Sequence, residues 1–435
     1  MNSDRKWLVF LLVAGVLFSL IPFISEASDD FTFELDEIEK SPLEWGGYVE
    51  IKLEHLDINQ DGNQANLNYP KGVPATIDRF RPSLQVDGSY TAGIACFNWL
   101  FKLAGQQDNT GWTDSGDIYE VYSRVKIFEN SMVDLGKKAF GWGKGYAWNP
   151  VGFVNRSKDP NDPQESLEGY VTGELELIKS FSESNSPGNM ALTTLLIPVS
   201  DAINDEFGEG NGVNLAGKLY LLYQNTDIDF LFFIGGSRSS RFGVDFSRNI
   251  TSNFEIHGEA AYITSKDRVL LLENGSTRHE ENSVWSGLFG LRYLTANDLT
   301  SIIEYYHNGN GYTEEERVLF YRQITEGGVV VDEQTLRQLR ELSLYGYSRP
   351  YAGRNYLYAK FTQKEPFDIL YFTPGLTTIV NLDDQSASFT PELTYAGFTN
   401  FEIRLRFSLL TGSSLSEYGE KQIGNRIELR LRWFF

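Results

Sequence analysis

The chain has 435 residues and a formal net charge of -21, with 59 acidic against 38 basic side chains, a balance that excludes a nucleic-acid binder or a generally polyanion-binding surface. Cys96 is its single cysteine, so there is no internal disulfide framework, no CxxCH haem attachment and no cysteine-rich metal site, and no cofactor is expected. Tyr, Phe, Trp and Gly are abundant while Met is scarce.

The opening stretch "MNSDRKWLVFLLVAGVLFSLIPFISEASDD" places Arg5 and Lys6 before an apolar run from Trp7 to Ile24, then small residues at Ser25 and Ala27. That layout predicts a secretory signal peptide over residues 1–27, cleaved after Ala27, with an uncleaved anchor as the alternative; either way the protein leaves the cytoplasm. Residues 28–42 are expected to form a short periplasmic segment, too small to fill a lumen, which argues against energised uptake. Residues 43–435 are expected to form one domain.

From Leu43 onward the chain alternates apolar and polar residues in long runs punctuated by Gly, Asn, Asp and Pro, as in "YVEIKLEHL", "YVTGELELI", "NFEIHGEAAYI" and "NFEIRLRFSLL". Eighteen strands are predicted, at 44–57, 76–87, 92–105, 117–128, 131–139, 168–181, 189–199, 213–225, 227–236, 240–249, 253–265, 284–296, 299–308, 354–364, 368–380, 386–396, 399–411 and 424–435, with sixteen as the alternative count. Tight connections such as "QNTD" and "TAND" interleave with long ones near 58–75, 140–167, 200–212, 266–283, 309–353 and 412–423. Helical periodicity is confined to "DEQTLRQLRELSLYG", inside the 309–353 connection. Long alternating strands, an even count and short-long connections predict an all-β fold, a transmembrane antiparallel up-and-down barrel with short periplasmic turns and long external loops. Closure follows physically, because in hydrocarbon an open sheet edge would strand a column of unpaired peptide groups. A soluble secreted sandwich is the rival reading.

The last strand, "NRIELRLRWFF", sets Ile427, Leu429, Leu431, Trp433 and Phe435 outward and Arg426, Glu428, Arg430, Arg432 and Phe434 inward. An alternating final strand closed by an aromatic resembles the assembly signal of Gram-negative outer-membrane barrels. The resemblance implies that Trp433 and Phe435 are read by the barrel-assembly machinery. The segment "DLGKKAFGWGKGYAWNPVGFVNRSKDPNDPQE" (134–165) resembles the strand and loop of porin-like barrels related to the alginate-export type, through Gly136, Trp142, Gly143, Gly145, Asn149, Pro150, Asp159, Pro160, Asp162 and Pro163. Lys137 and Lys138 depart from that pattern, so the family's substrate is not carried across. Glycines let a bulky loop pack close to a wall, and Asp-Pro pairs fix turns. The loop is therefore expected to fold inward as a constriction presenting Trp142, Lys144, Trp148, Asn149, Arg156 and Lys158, an external loop being the alternative.

The alternation also gives an inward inventory. Near the seam it predicts basic residues Lys52, Arg79, Arg81, Lys102, Arg124, Lys126, Arg404, Arg406, Arg426, Arg430 and Arg432; across the lumen it predicts acidic Glu174, Glu176, Glu255, Glu259 and Glu304. Segregated charge would orient dipolar solutes and draw anions along one side. Glu50, Glu54, Glu120, Glu402 and Glu428 lie on the same basic strands, and simple cross-strand pairing is the competing reading. No metal-binding histidine spacing and no nucleophile elbow occurs; His257, flanked by Glu255 and Glu259, reads as a satisfied lumen histidine, and no enzyme is expected. The expected function is passive, porin-like transport of small hydrophilic or anionic solutes, among outer-membrane lipid and lipopolysaccharide, with homo-oligomers left open. A non-conducting scaffold or interaction barrel acting through its loops, an adhesin or a sheath for a periplasmic partner, is the alternative.

Overall fold

The structure is a computed structural model that describes residues 41–163, 165–181, 188–326 and 333–435; the signal peptide predicted over residues 1–27 and most of the predicted 28–42 segment lie outside them. Its eighteen strands are β1 (Leu43–Ile58), β2 (Thr76–Ala92), β3 (Ala95–Asp108), β4 (Gly111–Phe128), β5 (Ser131–Lys138), β6 (Tyr170–Ser180), β7 (Asn189–Val199), β8 (Gly212–Tyr223) and β9 (Thr226–Ile234). They continue as β10 (Arg241–Thr251), β11 (Phe254–Leu271), β12 (Thr277–Leu294), β13 (Leu299–His307), β14 (Asn355–Gln363), β15 (Phe372–Asn381), β16 (Ala387–Phe398), β17 (Phe401–Thr411) and β18 (Ile423–Phe434). Each pairs antiparallel with the next, and β18 returns to β1, so the sheet has no edge. At that seam Lys52 faces Arg430 and Glu50 faces Arg432, and the final pairing is a backbone exchange between Gly47 and Phe435, at 3.2 and 3.1 Å.

The outer face carries the apolar set. Leu53, Leu103, Leu135, Leu196, Phe230, Trp285 and Phe289 are all exposed, and the polar partners that alternate with them turn inward. Where a glycine would leave a gap on that face, a ring from the next strand covers it. A Cβ on Gly88, Gly105, Gly217 or Gly258 would lie 2.5, 2.3, 2.4 or 2.7 Å from the rings of Trp99, Trp112, Phe232 and Phe246, so these glycines are fixed by their aromatic neighbours.

Three expectations are corrected. The 106–116 stretch read as a connection is strand, because β3 and β4 run on to a tight turn at 109–110. The long 266–283 connection is the arm of a hairpin, with only 272–276 outside strand; the run Val269–Leu271 does not alternate because helices bury it. The 308–354 loop holds two helices where one was expected: α2 (Glu314–Glu326) and α3 (Glu333–Leu342), the latter continued by a π-turn at Ser343–Tyr347. With the short helix α1 (Asn63–Asn68), they bury Leu67, Phe320, Tyr321, Leu339 and Tyr347 against Val269–Leu271, forming a roof over the end opposite the β1 start.

The inside is not uniformly polar. Leu195, Ile197, Val199, Ala216, Leu231, Phe233 and Ala261 face inward and are buried by Trp142, Val151 and Phe153 of the 139–169 loop. Strands β7 and β9, "ALTTLLIPV" and "TDIDFLFFI", are apolar on both faces for that reason.

Candidate functional site

The 139–169 loop leaves β5 and makes its contacts on the inner wall of distant strands. Glu259 of β11 accepts hydrogen bonds from the backbone N–H of Lys144 and Gly145, both at 2.7 Å, and of Val151 at 3.2 Å, and from Asn149 Nδ2 at 2.9 Å. Glu304 of β13 accepts the N–H of Tyr146 (2.6 Å) and Ala147 (2.9 Å) and bonds His257 Nε2 (2.9 Å). Two carboxylates thus serve as anion sites for a turn of backbone amides. Gly143 has φ +102, and a Cβ there would come within 2.7 Å of Glu259 and 2.6 Å of Asn149, so the approach requires glycine. Trp142 is buried in the apolar cluster, and Lys144 reaches Asp229 of β9 at 2.8 Å. Burial opposes the Lys144 charge, but Asp229 and Asp245 outweigh it and hold its pKa above the usual lysine value.

The second half of the loop crosses to the seam. Asp162 lies 2.7 Å from Arg430, 3.5 Å from Arg404 and 3.9 Å from Arg406. Burial pushes its carboxyl up, yet Arg430, Arg406 and Arg404 together bring it down to about 2. Glu165 bonds Lys102 at 3.0 Å and faces Lys52 at 3.8 Å; burial raises its pKa, and the two lysines pull it below the ordinary glutamate value. Trp148 stacks on Tyr306 at 5.0 Å with Tyr356 and Tyr358 at its edges. Arg156 pairs with Glu168 at 3.2 Å and with Glu206, and burial lowers the pKa of Lys158.

The basic residues predicted along the seam are interleaved with acids. Arg432 forks onto Glu50 (2.9 and 2.6 Å), Arg406 onto Glu392 (2.9 and 2.5 Å), and Arg124 onto Asp134 (2.9 and 2.8 Å). Arg430 meets Glu428 at 3.0 Å, Arg404 meets Glu402 at 3.2 Å, and Arg426 and Arg81 share Glu54 at 3.5 Å each. Lys52 sits 3.6 Å from Glu50. Arg79 stands opposite Glu54 in register, and Lys126 is exposed near the 129–130 turn. The arc is therefore a chain of ion pairs, with little cationic excess. Of the predicted acids, Glu174 pairs with Lys138, Glu176 is half-buried beside Met132 and Thr193 in register, and Glu255 lies between Ser247 (3.1 Å) and Tyr146 (3.4 Å). Glu259 and Glu304 are covered by the loop. Asp162 and Glu165, read only as part of a Pro/Asp-rich stretch, turn out to carry its contacts with the seam.

Beside Glu165 a cavity of about 430 Å³ runs along the inner wall of β1–β4, lined by Lys52, Arg81, Ser83, Lys102 and Gln106. Above it, the roof is tied down by Arg317 of α2, which is 1 % exposed and reaches Asp384 at 2.7 Å and Glu417 at 3.5 Å. Glu417 also accepts Tyr356 Oη (2.5 Å) and Asn381 Nδ2 (2.7 Å).

These features define a closed, antiparallel, eighteen-stranded β-barrel with an apolar outer face. The chain is similar in fold to OccAB1 of Acinetobacter baumannii (TM-score 0.51, 13% identity, covering 91% of this chain and 98% of that one). It is also similar to a BenF-like porin from Pseudomonas fluorescens Pf-5 (0.54, 11%, 90% and 98%) and to OccK11 (OpdR) of Pseudomonas aeruginosa (0.51, 8%, 90% and 95%). No protein-family model and no curated protein matches the sequence. At such identities the likeness is one of fold.

Proposed function

We propose that the protein is an outer-membrane channel for passive diffusion of small hydrophilic solutes, narrowed by the 139–169 loop. The observation that carries this reading is the loop's path: an apolar-coated closed wall, crossed inside by one loop anchored on the wall residues Glu259, Glu304 and Arg430, with a polar cavity left beside β1–β4. Solutes would pass along the inner wall of β1–β4, through the cavity lined by Lys52, Arg81, Lys102, Gln106 and Glu165. The fold shared with solved porins supports the same reading. Export through the N-terminal signal, a setting of lipid and lipopolysaccharide, and recognition of Trp433 and Phe435 by the assembly machinery belong to this proposal, and association of barrels into homo-oligomers fits it.

Purified protein in planar bilayers tests it. The wild type is expected to give small discrete conductance steps, and deletion of residues 144–162 is expected to raise the step size severalfold. Unchanged steps would remove the constriction role. A second reading, a non-conducting scaffold, is favoured by the apolar packing of Trp142, Val151 and Phe153 on β7–β9 and by the roof. It predicts no steps in the wild type.

A further inference from the structure

The seam arginines are paired, and so are Arg317 and Arg268 under the roof, whereas a second group of cations nearby is not. Among the described residues, Lys158, Arg238, Arg241, Lys266 and Arg349 make no ion pair with a carboxylate, although they come from four separate segments: the 139–169 loop, the 235–240 connection with the start of β10, β11 and the roof. Arg238 lies over the ring of Phe207 at 3.8 Å and Arg241 over Phe233 at 5.8 Å, while Lys266 faces Arg241, Arg349 and Arg238. The carboxylates nearby are committed elsewhere: Glu259 and Glu304, the acids acting on Lys158, to the backbone amides of the loop, Glu168 and Glu206 to Arg156, and Asp267, the acid beside Lys266, to Tyr345 and His279. Lys158 and Arg349 line one cavity of about 340 Å³ with Trp148, Arg156, Tyr306 and Tyr351, and no carboxylate lines it. Two donors on that lining, Trp148 Nε1 and Arg156 Nε, are buried without a hydrogen-bond partner, and Trp148 is only 9% exposed. Lys158 donates to the Gly145 carbonyl at 3.2 Å, and Asn149 Oδ1 is an orphaned acceptor on the same lining; against these, two cations without a carboxylate partner and two orphaned N–H groups raise the free energy of the empty site, and an oxygen-rich anion supplies what is missing.

We propose that this cleft is a capture site for an oxyanionic solute, a carboxylate, phosphate or sulfate group, held between Lys158 and Arg349. The inference rests on the channel reading only for the route by which the solute arrives. The cavity lies on the loop and roof inside the ring of strands, so a diffusing solute is the fitting source of the anion, and not a bilayer headgroup.

The test uses full-length barrel folded in detergent and freed of lipopolysaccharide, titrated calorimetrically with sodium phosphate and with sodium succinate at constant ionic strength. Saturable binding is expected, weakened at least tenfold in Lys158→Gln/Arg349→Gln and unchanged in Lys71→Gln/Lys179→Gln, which removes as much charge elsewhere. Folding of each variant is checked by heat-modifiable migration. No saturable binding by the wild type, or equal binding by the two double variants, overturns the proposal. So does displacement of phosphate-independent signal by lipopolysaccharide alone, which would mark a lipid site. Conductance in potassium chloride separates the two readings: a barrel that conducts without binding loses the capture site alone, and one that binds without conducting loses the channel alone.

Discussion

Asp162 shows how a single loop residue holds a long excursion in place. Three guanidiniums converge on it, but Arg430 keeps Glu428 and Arg406 keeps Glu392 when it is removed. Asp162→Asn is therefore expected to cost on the order of 1–3 kcal/mol, read by urea unfolding of the folded barrel, less than stripping a buried pair entirely. Its carboxyl is depressed to about 2 in the folded state against an ordinary value near 4, so its contribution is full above about pH 4 and falls away as pH drops towards 2. The wild type should lose more stability across that window than Asp162→Asn, which keeps only the contributions of the other paired carboxylates; equal pH profiles would contradict the role. Sequence parity placed Glu259 and Glu304 on the inner face, but a carboxylate that accepts backbone amides leaves no signature in residue type. That is why they read as free wall charges. Asp162 read as a turn former for a related reason, since Asp-Pro serves both purposes.

At the scale of elements, all eighteen strands were legible because a wall with oil on one side and water on the other forces a period of two. The errors fall where that force is absent. The hairpin arms at 106–116 and 269–271 lie at the loop end, and β7 and β9 are apolar on both faces because the inward loop dries one of them. Helix α2, "EEERVLFYRQITE", has too weak a segregation of apolar residues to stand out from its loop. The closing strand carries its own prediction. Phe435 exchanges two backbone hydrogen bonds with Gly47 and packs its ring against Trp45 and Trp433, each at 6.0 Å. Deleting Phe435 is expected to lower the yield of heat-modifiable barrel in outer-membrane fractions severalfold, and an undiminished yield would count against its role in assembly.

For the whole molecule, the decisive feature is that the roof is joined to the barrel through a buried charge. Arg317 of the 308–354 loop meets Asp384 and Glu417 from two other loops, and Glu417 is bonded in turn to Tyr356 of β14 and Asn381 of β15. Burial opposes the Asp384 charge, and its Ser386 and Glu417 hydrogen bonds with the Arg317 guanidinium hold its pKa below the usual carboxylate value. Arg317→Met removes the guanidinium shared by two buried acids, Asp384 and Glu417, leaving Glu417 only the more distant Lys421 at 3.8 Å, at a cost of roughly 3–5 kcal/mol, and should speed amide hydrogen exchange in α2. Exchange as slow as in the wild type would dissociate the roof from this knot. If the knot holds, swinging the roof aside would drag a bare guanidinium out of its only company, too steep a climb for thermal motion to make often. Traffic would then be metered by a fixed aperture, and the rate at which molecules cross would follow their size and charge with no pause for a door.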